Sequence, residues 1–461
     1  MVPSAVGIGW EEAEPRQVAA IKGEVHGALG VGPKGDGRSY LHVLSTAGDR
    51  MFLYDREARK LKDVTGKLGL GSRSVAAAWG DFNGDGRIDL ASWDGERLTT
   101  WLQNKRATFD AKPSGAGLSE CIGLAICGVG RTMKAGLLAS TTGVPVLLAP
   151  KGDGTFTAKP IADAHKGGKL GTPHACLVAD FDGDAVPDVL QPFEKGAIFF
   201  RGTSPGRFDD GKALENLGTG EGHARINTGD YDHDGRLDVF VAAEEGCQVW
   251  HNLGGGAFAE AMEYTGEMKY ISQPGARSGM TVDINNDGRQ DVFITYMNRE
   301  PQIFFNRGFL SFGHAHRPID LQECGLFPPK NVPGKDEVVE RKNKGQRAGL
   351  VRDLDGDGAQ DMAIVLEDGS LWVYWRAVGG ADPLCVRAAL PPGGPAGPVA
   401  VSAVRQGRSL GAWNVVAGTS PSFFGLVQEG PCLVKWRCPG SKPREKEIIV
   451  EGGLARYLLK P

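Results

Sequence analysis

One short acidic pattern occurs five times in this chain, and it constrains the fold more than any other feature. Asp or Asn stands at positions 1, 3 and 5 of a loop, and Asp returns at position 9. The copies run Asp81, Asn83, Asp85, Asp89; Asp180, Asp182, Asp184, Asp188; and Asp230, Asp232, Asp234, Asp238. Two more follow: Asp283, Asn285, Asp287, Asp291; and Asp353, Asp355, Asp357, Asp361. A hard dication takes six to eight oxygens at about 2.3–2.6 Å, and a tight turn with oxygens at 1, 3 and 5 plus a carbonyl at 7 supplies them. The expected ligands are therefore these side chains together with the carbonyls of Arg87, Val186, Arg236, Arg289 and Ala359. About five structural Ca²⁺ sites are expected. Repetition at a near-constant period indicates a repeat architecture.

The spacing shares its first half with an EF-hand loop but lacks the Glu at position 12 and any readable flanking helix. Position 9 instead opens a short run of apolar residues, such as Val239-Phe240-Val241 and Val292-Phe293-Ile294, which reads as a strand. Gly86, Gly235, Gly288 and Gly358 stand at position 6, where a positive φ suits glycine. The second copy departs, with Ala185 at position 6 and Pro187 at position 8. Eighteen of the chain's 56 acidic residues occupy these loops. Clustered carboxylates repel unless a cation pairs with them, so metal binding is expected to stabilise the fold directly.

The period also reveals copies that have lost their carboxylates. The gap from Asp81 to Asp180 is about twice that from Asp180 to Asp230, and Val129–Leu137 fits the missing unit. Gly32–Tyr40 and Arg405–Val416 extend the series at either end. A second marker agrees: an apolar strand follows each loop start by about 20 residues, from Met51–Tyr54 through Val249–His251 to Phe423–Leu426. Strand, metal loop, strand, tight turn, strand, hairpin and strand in about 50 residues make a four-stranded propeller blade. The expectation is an all-β propeller of eight blades, with seven as the alternative. It spans residues 25–437, with a closing segment at 1–24 and a tail at 438–461. Either end could close the ring.

With Trp79-Gly80 preceding Asp81-Phe82, these loops resemble the FG-GAP/VCBS repeat of integrin-α-type β-propellers and of many bacterial secreted proteins. The resemblance is specific at the five loops and rests on period alone elsewhere. It implies a calcium-braced propeller and no single activity, because fold does not fix function.

Composition agrees with that reading. Sixty-eight Gly and 27 Pro suit a turn-rich all-β chain, and 41% hydrophobic residues suffice for a large core. No apolar stretch is long enough to span a membrane. The opening Met-Val-Pro-Ser-Ala-Val-Gly-Ile lacks the basic and apolar regions of a signal peptide. Calcium loops nevertheless need the high calcium outside the cytosol, so a secreted, periplasmic or cell-surface location is expected, with the signal trimmed and Met1 added. Eight cysteines are sparse for this length and read mainly as buried small hydrophobes, although Cys324 and Cys385 lie in connecting segments where they could pair.

In an up-and-down blade the metal loops share a face with the C–D hairpins. The B–C turns and the longer D–A crossovers take the opposite face, where function concentrates on a rigid scaffold. His223, Arg225 and Arg277 approach that face, and Tyr296 and Arg299 lie in a nearby turn. An insertion at about 313–347 carries His314, His316, Arg341 and Lys342 and reads as a basic lip able to grip an anionic ligand. The expected function is extracellular binding or adhesion to a glycan or protein by a monomer. The alternative is a lyase-like polysaccharide enzyme, which would need a base and a carboxylate-neutralising cation converging in the central cleft.

Other motifs do not survive their context. Gly202-Thr-Ser204-Pro-Gly206 matches a nucleophile elbow but lies in a hairpin, and Gly30-Val-Gly32-Pro-Lys-Gly35 has a proline where a nucleotide-binding helix would begin. A formal net charge of −4 with dispersed Lys and Arg disfavours nucleic acid.

Overall fold

The computed structural model describes residues 16–32, 38–163, 169–272, 274–314, 345–376, 384–395, 397–418 and 421–460. The expected lip at 313–347 therefore lies largely outside the described residues, together with His316, Cys324, Arg341 and Lys342.

The chain forms a β-propeller. Seven four-stranded antiparallel sheets follow one another along it, numbered here as blades 1 to 7 with strands A to D from the centre outward. The A strands are Val25–Val31, Ala76–Gly80, Gly123–Val129, Leu177–Ala179, Ala224–Gly229, Ala276–Val282 and Gln346–Arg352. The B strands are Tyr40–Ser45, Asp89–Trp93, Lys134–Ser140, Asp188–Phe193, Asp238–Ala243, Asp291–Tyr296 and Asp361–Leu366. Nearly every B-strand residue is buried, because each B strand is sandwiched between neighbouring blades. That is why these strands read as unbroken apolar runs rather than alternating ones. The rim is the reverse: Lys60–Asp63 and Phe156–Pro160, D strands of blades 1 and 3, each bury one residue.

The core lies in layers between blades. Between blades 4 and 5, Phe181 packs edge-on to Phe199 and Phe258 with centroids 6.3 and 5.5 Å apart, beside buried Trp250. Burying one such side chain contributes about 1.5–3 kcal/mol. Blade 1 has no acidic loop and is pinned by a buried polar chain instead. Trp79 Nε1–H donates to His42 Nδ1 at 3.2 Å, His42 Nε2 lies 3.3 Å from Asp49 Oδ2, and Ser72 Oγ–H donates to Asp49 at 2.6 Å.

The N-terminal segment closes the ring. Arg16–Ala20 pairs antiparallel with Ser370–Tyr374 as the outer strand of blade 7, and an apolar layer joins blades 7 and 1. Pairing with Arg16–Ala20 covers the strand Ser370–Tyr374, which would otherwise be the open edge of a three-stranded blade.

The segment expected to form an eighth blade is laid out differently. Val399–Arg405 and Arg408–Val415 do form the expected hairpin, but they join Gly430–Trp436 and Arg444–Val450 in the order second, first, third, fourth. The expected third strand, Ser422–Gly425, pairs with Cys385–Ala389 in a separate three-stranded sheet completed in parallel by Leu454–Leu458. No domain boundary falls at 437/438, since Gly430–Trp436 pairs with Arg444–Val450 across it. The described residues between 384 and 460 form a cap with its own core around Val401, Val434 and Phe424.

Among the described residues the seven cysteines at 121, 127, 176, 247, 385, 432 and 438 are free and buried. No helix among them is long and apolar enough to cross a membrane.

Candidate functional site

All five acidic loops share one hydrogen-bond plan between strands A and B. The position-3 oxygen accepts the N–H of position 5 at 3.1–3.2 Å, and the position-5 carboxylate accepts the N–H of position 7 at 2.7–3.0 Å. The plan needs two left-handed residues, since φ is positive at position 6 and also at position 4. Position 4 was not legible in the sequence, because His233 (φ 65°) and Asn286 (φ 57°) stand there beside Gly84, Gly183 and Gly356.

Position 9 has a distinct job in every copy. Asp89, Asp188, Asp238, Asp291 and Asp361 are fully buried. Each accepts the N–H of position 2 through Oδ2 at 2.9–3.1 Å. Each accepts through Oδ1, at 2.7–3.1 Å, an N–H from strand C or from the residue two beyond its end: Gln103, Gly202, Asn252, Asn306 and Arg376 respectively. These carboxylates staple loop to sheet. The next link joins blades. Asn252 Nδ2 donates to Phe181 O at 2.8 Å, Asn306 Nδ2 to Tyr231 O at 2.9 Å and Arg376 Nη1 to Ile284 O at 2.6 Å. Each reaches the position-2 carbonyl of the preceding blade's loop. The Asn-x-Gly stretches at 252–254 and 306–308 were the available signal for two of these rivets.

The electrostatics call for a cation. Burial, opposed by main-chain N–H groups, pushes Asp89 and Asp188 up to about 7. Burial and then the carboxylates of Asp238, Asp234 and Asp232 push Asp230 up to about 8. Asp291 and Asp361 are also raised, first by burial and then by neighbouring carboxylates. In the second, third and fifth loops the oxygens of positions 1, 3 and 5 converge within 4.8 Å of one another. Asp230 Oδ1 and Asp353 Oδ2 are buried without a hydrogen-bond partner, on residues 0% and 2% exposed. An all-oxygen donor set with unspent buried lone pairs suits a hard divalent cation.

The cap sits on this same face. Gly425 N–H donates to Asp283 Oδ2 at 2.7 Å, and a Cβ on Gly425 would stand 2.4 Å from the Asn286 backbone. Gln290 Nε2 donates to Ala412 O at 2.7 Å, Arg456 Nη2 to Gly356 O at 3.0 Å and Gly32 N–H to Gly418 O at 2.7 Å. The A strands and the cap enclose a central cavity of about 420 Å³, lined by Trp79, Met280, Arg352, Arg387, Trp413 and Phe423 among others.

At the other end of the A strands the expected ligand residues separate into two groups. His223, Arg225 and Arg277 come together, joined by His26, which sequence reasoning missed. Arg225 Nη2 donates to His26 O at 3.1 Å, from blade 5 to blade 1. His223 Nε2 lies 3.0 Å from Arg277 O. Burial, then Arg225, lowers His223 to about 4, and burial also lowers His26. The second group lies elsewhere. Tyr296 is fully buried at the end of a B strand, with the Arg299 guanidinium 5.7 Å from its ring centre. Its N–H bonds Gln346 Oε1 at 2.9 Å, so this pair ties blade 6 to blade 7. His314 lies on the outermost strand of blade 6, its ring 5.3 Å from that of Phe304.

A model of the FG-GAP-like repeat matches residues 230–294, which hold the third and fourth loops. No curated protein matches the chain. A solved lectin of Agrocybe aegerita, described as recognising non-reducing terminal N-acetylglucosamine, is 15% identical with a TM-score of 0.45, covering 89% of this chain and 97% of its own. BBS1N, solved in complex with ARL6DN, is 11% identical with a TM-score of 0.48, covering 79% of this chain and 97% of its own. A Photorhabdus luminescens Tc holotoxin is 13% identical with a TM-score of 0.36, over 72% of this chain and 16% of its own.

Proposed function

We propose that this chain is a calcium-braced, monomeric propeller that acts outside the cytosol as a binding module for a polyanionic ligand, with an acidic glycan as the first class to test. One observation carries the reading: the two faces are chemically opposite. Carboxylate loops lie under a cap on one face, while His26, His223, Arg225 and Arg277 gather at the mouth of the other. Ions held in these loops would act as braces between strands A and B. The FG-GAP-like match over the third and fourth loops supports calcium as the ion. Retention on an array of acidic glycans tests the binding site. Wild-type protein is expected to be retained and Arg277→Gln to lose most of that retention, whereas equal retention of both places the ligand elsewhere. A protein partner would instead appear as array silence with a specific pulldown.

A second reading has one observation in its favour. His223 is close to both Arg225 and Arg277, so a base and carboxylate-neutralising groups do share the mouth. A polysaccharide lyase would raise ultraviolet absorbance on acidic polysaccharides as the new double bond forms, and His223→Gln would abolish the rise.

A further inference from the structure

The five loops differ at one place that their shared consensus does not contain. The residue just before the N–H that staples position 9 is Leu102, Arg201, His251, Phe305 or Trp375 in turn. Only in the second loop is that residue permanently charged. Arg201 Nε lies 2.5 Å from Asp182 Oδ2 and Arg201 Nη2 lies 3.1 Å from Asp184 Oδ2. Positions 3 and 5 are two of the positions whose side-chain oxygens would hold a bound dication. A guanidinium across them forms a two-pronged, charge-assisted clamp on the same oxygens.

We propose that Arg201 is the resident cation of the second loop, so that this loop takes no metal and blade 4 is braced by an ion pair. The inference rests on the reading that the other four loops bind Ca²⁺. Arginines elsewhere do not play this part. Arg87 and Arg236 each pair with a single carboxylate, Asp85 or Asp234. Their Nε–H groups donate to Gln103 O at 2.7 Å and Asn252 O at 2.8 Å, which holds them along strand C. His251, the counterpart in the third loop, bonds Asp238 Oδ1 through Nδ1 at 2.9 Å and lies 3.8 Å from Asp232, so it spans no pair of carboxylates at positions 3 and 5.

One further departure falls in the same loop. Position 6 is Ala185, held at φ 70° where the other four copies use glycine. Both oxygens of Asp180 accept main-chain N–H groups, from Gly183 at 2.8 Å and Ala185 at 2.9 Å, as do those of Asp81 and Asp283 in the first and fourth loops. Asp230 and Asp353, at the same position of the third and fifth loops, each keep a buried oxygen without a partner. The second loop thus has the acidic spelling of a metal site with its charge already answered by Arg201.

The test counts ions in the full-length chain. Protein is stripped with a chelator, titrated with CaCl₂ in a calorimeter, and assayed for bound calcium by plasma emission. Asp182→Asn and Asp184→Asn, in the second loop, are each expected to bind as many ions as wild type, and either suffices if the other fails to fold. Asp355→Asn, the matching change in the fifth loop, is expected to bind one fewer. Arg201→Gln is expected to gain one weak site. Loss of one ion in Asp182→Asn or Asp184→Asn overturns the proposal, because the guanidinium would then simply swing aside for metal. An unchanged count in Arg201→Gln overturns the claim that the guanidinium excludes the ion. If wild type and Asp355→Asn bind none, it is the calcium reading that fails.

Discussion

The two ends of the ring's central opening are built on contrary principles. At the capped end, carboxylates repeat with one geometry, and each position-9 Asp joins a loop turn to the sheet beneath it. Removing any member leaves buried N–H groups without acceptors, so this end should govern stability. At the other mouth, cationic and imidazole groups come from blades 1, 5 and 6 and bond main-chain carbonyls. Their arrangement follows no repeat. If the proposed binding role holds, stability and recognition fall at opposite ends of the A strands, and each should be alterable with little effect on the other.

Chelation is the strongest way to break that contrast. Stripping the ions should lower Tm by about 10 °C or more, with recovery on adding Ca²⁺. An unchanged melt would remove the capped end's special role. Asp291→Ala comes next. It strands the N–H groups of Ile284 and Asn306 and should destabilise by about 3–4 kcal/mol in denaturant titration. Gly425→Ala should cost about 1–3 kcal/mol, because its Cβ would meet the Asn286 backbone and lift the cap from the fourth loop. Faster proteolysis within 384–460 would report that lifting.

The opposite mouth should respond to pH instead. His223 is held at about 4 by burial, below its ordinary 6.5. The unfolded chain therefore takes up the proton first, and stability falls as pH drops from about 6.5 through about 4, by up to roughly 3 kcal/mol. Melts of wild type and His223→Gln across that window should converge at low pH. The smallest stability effect is expected for Arg277→Gln, under about 0.5 kcal/mol. A large loss there would mean that the mouth is as structural as the capped end.

Much of this molecule was legible from period and residue type. Five nine-residue acidic loops, each opening an apolar run, place strands A and B and the turn between them, because the hydrogen-bond plan is local. The apolar runs from Met51–Tyr54 to Trp372–Tyr374 fall on strand C of each blade for the same reason. Tyr296 shows where local reading fails. It looks like a turn residue, yet strand alternation turns it into the layer between blades 5 and 6. The inter-blade rivets were hidden because a carboxamide's target 71 or 75 residues away leaves no mark on its own neighbourhood.

The sequence by itself determined the blade, since a repeat writes its geometry in short-range spacing that each copy satisfies alone. Only the tertiary structure decided what closes the ring and what covers it. Arg16–Ala20 completes blade 7, and the described residues between 384 and 460, which keep the period's hairpin, become a lid over the acidic loops. Period predicts which strands pair with their chain neighbours. Whether the last unit joins the ring depends on how far the inner strands have already turned, and that sum is taken over every blade at once.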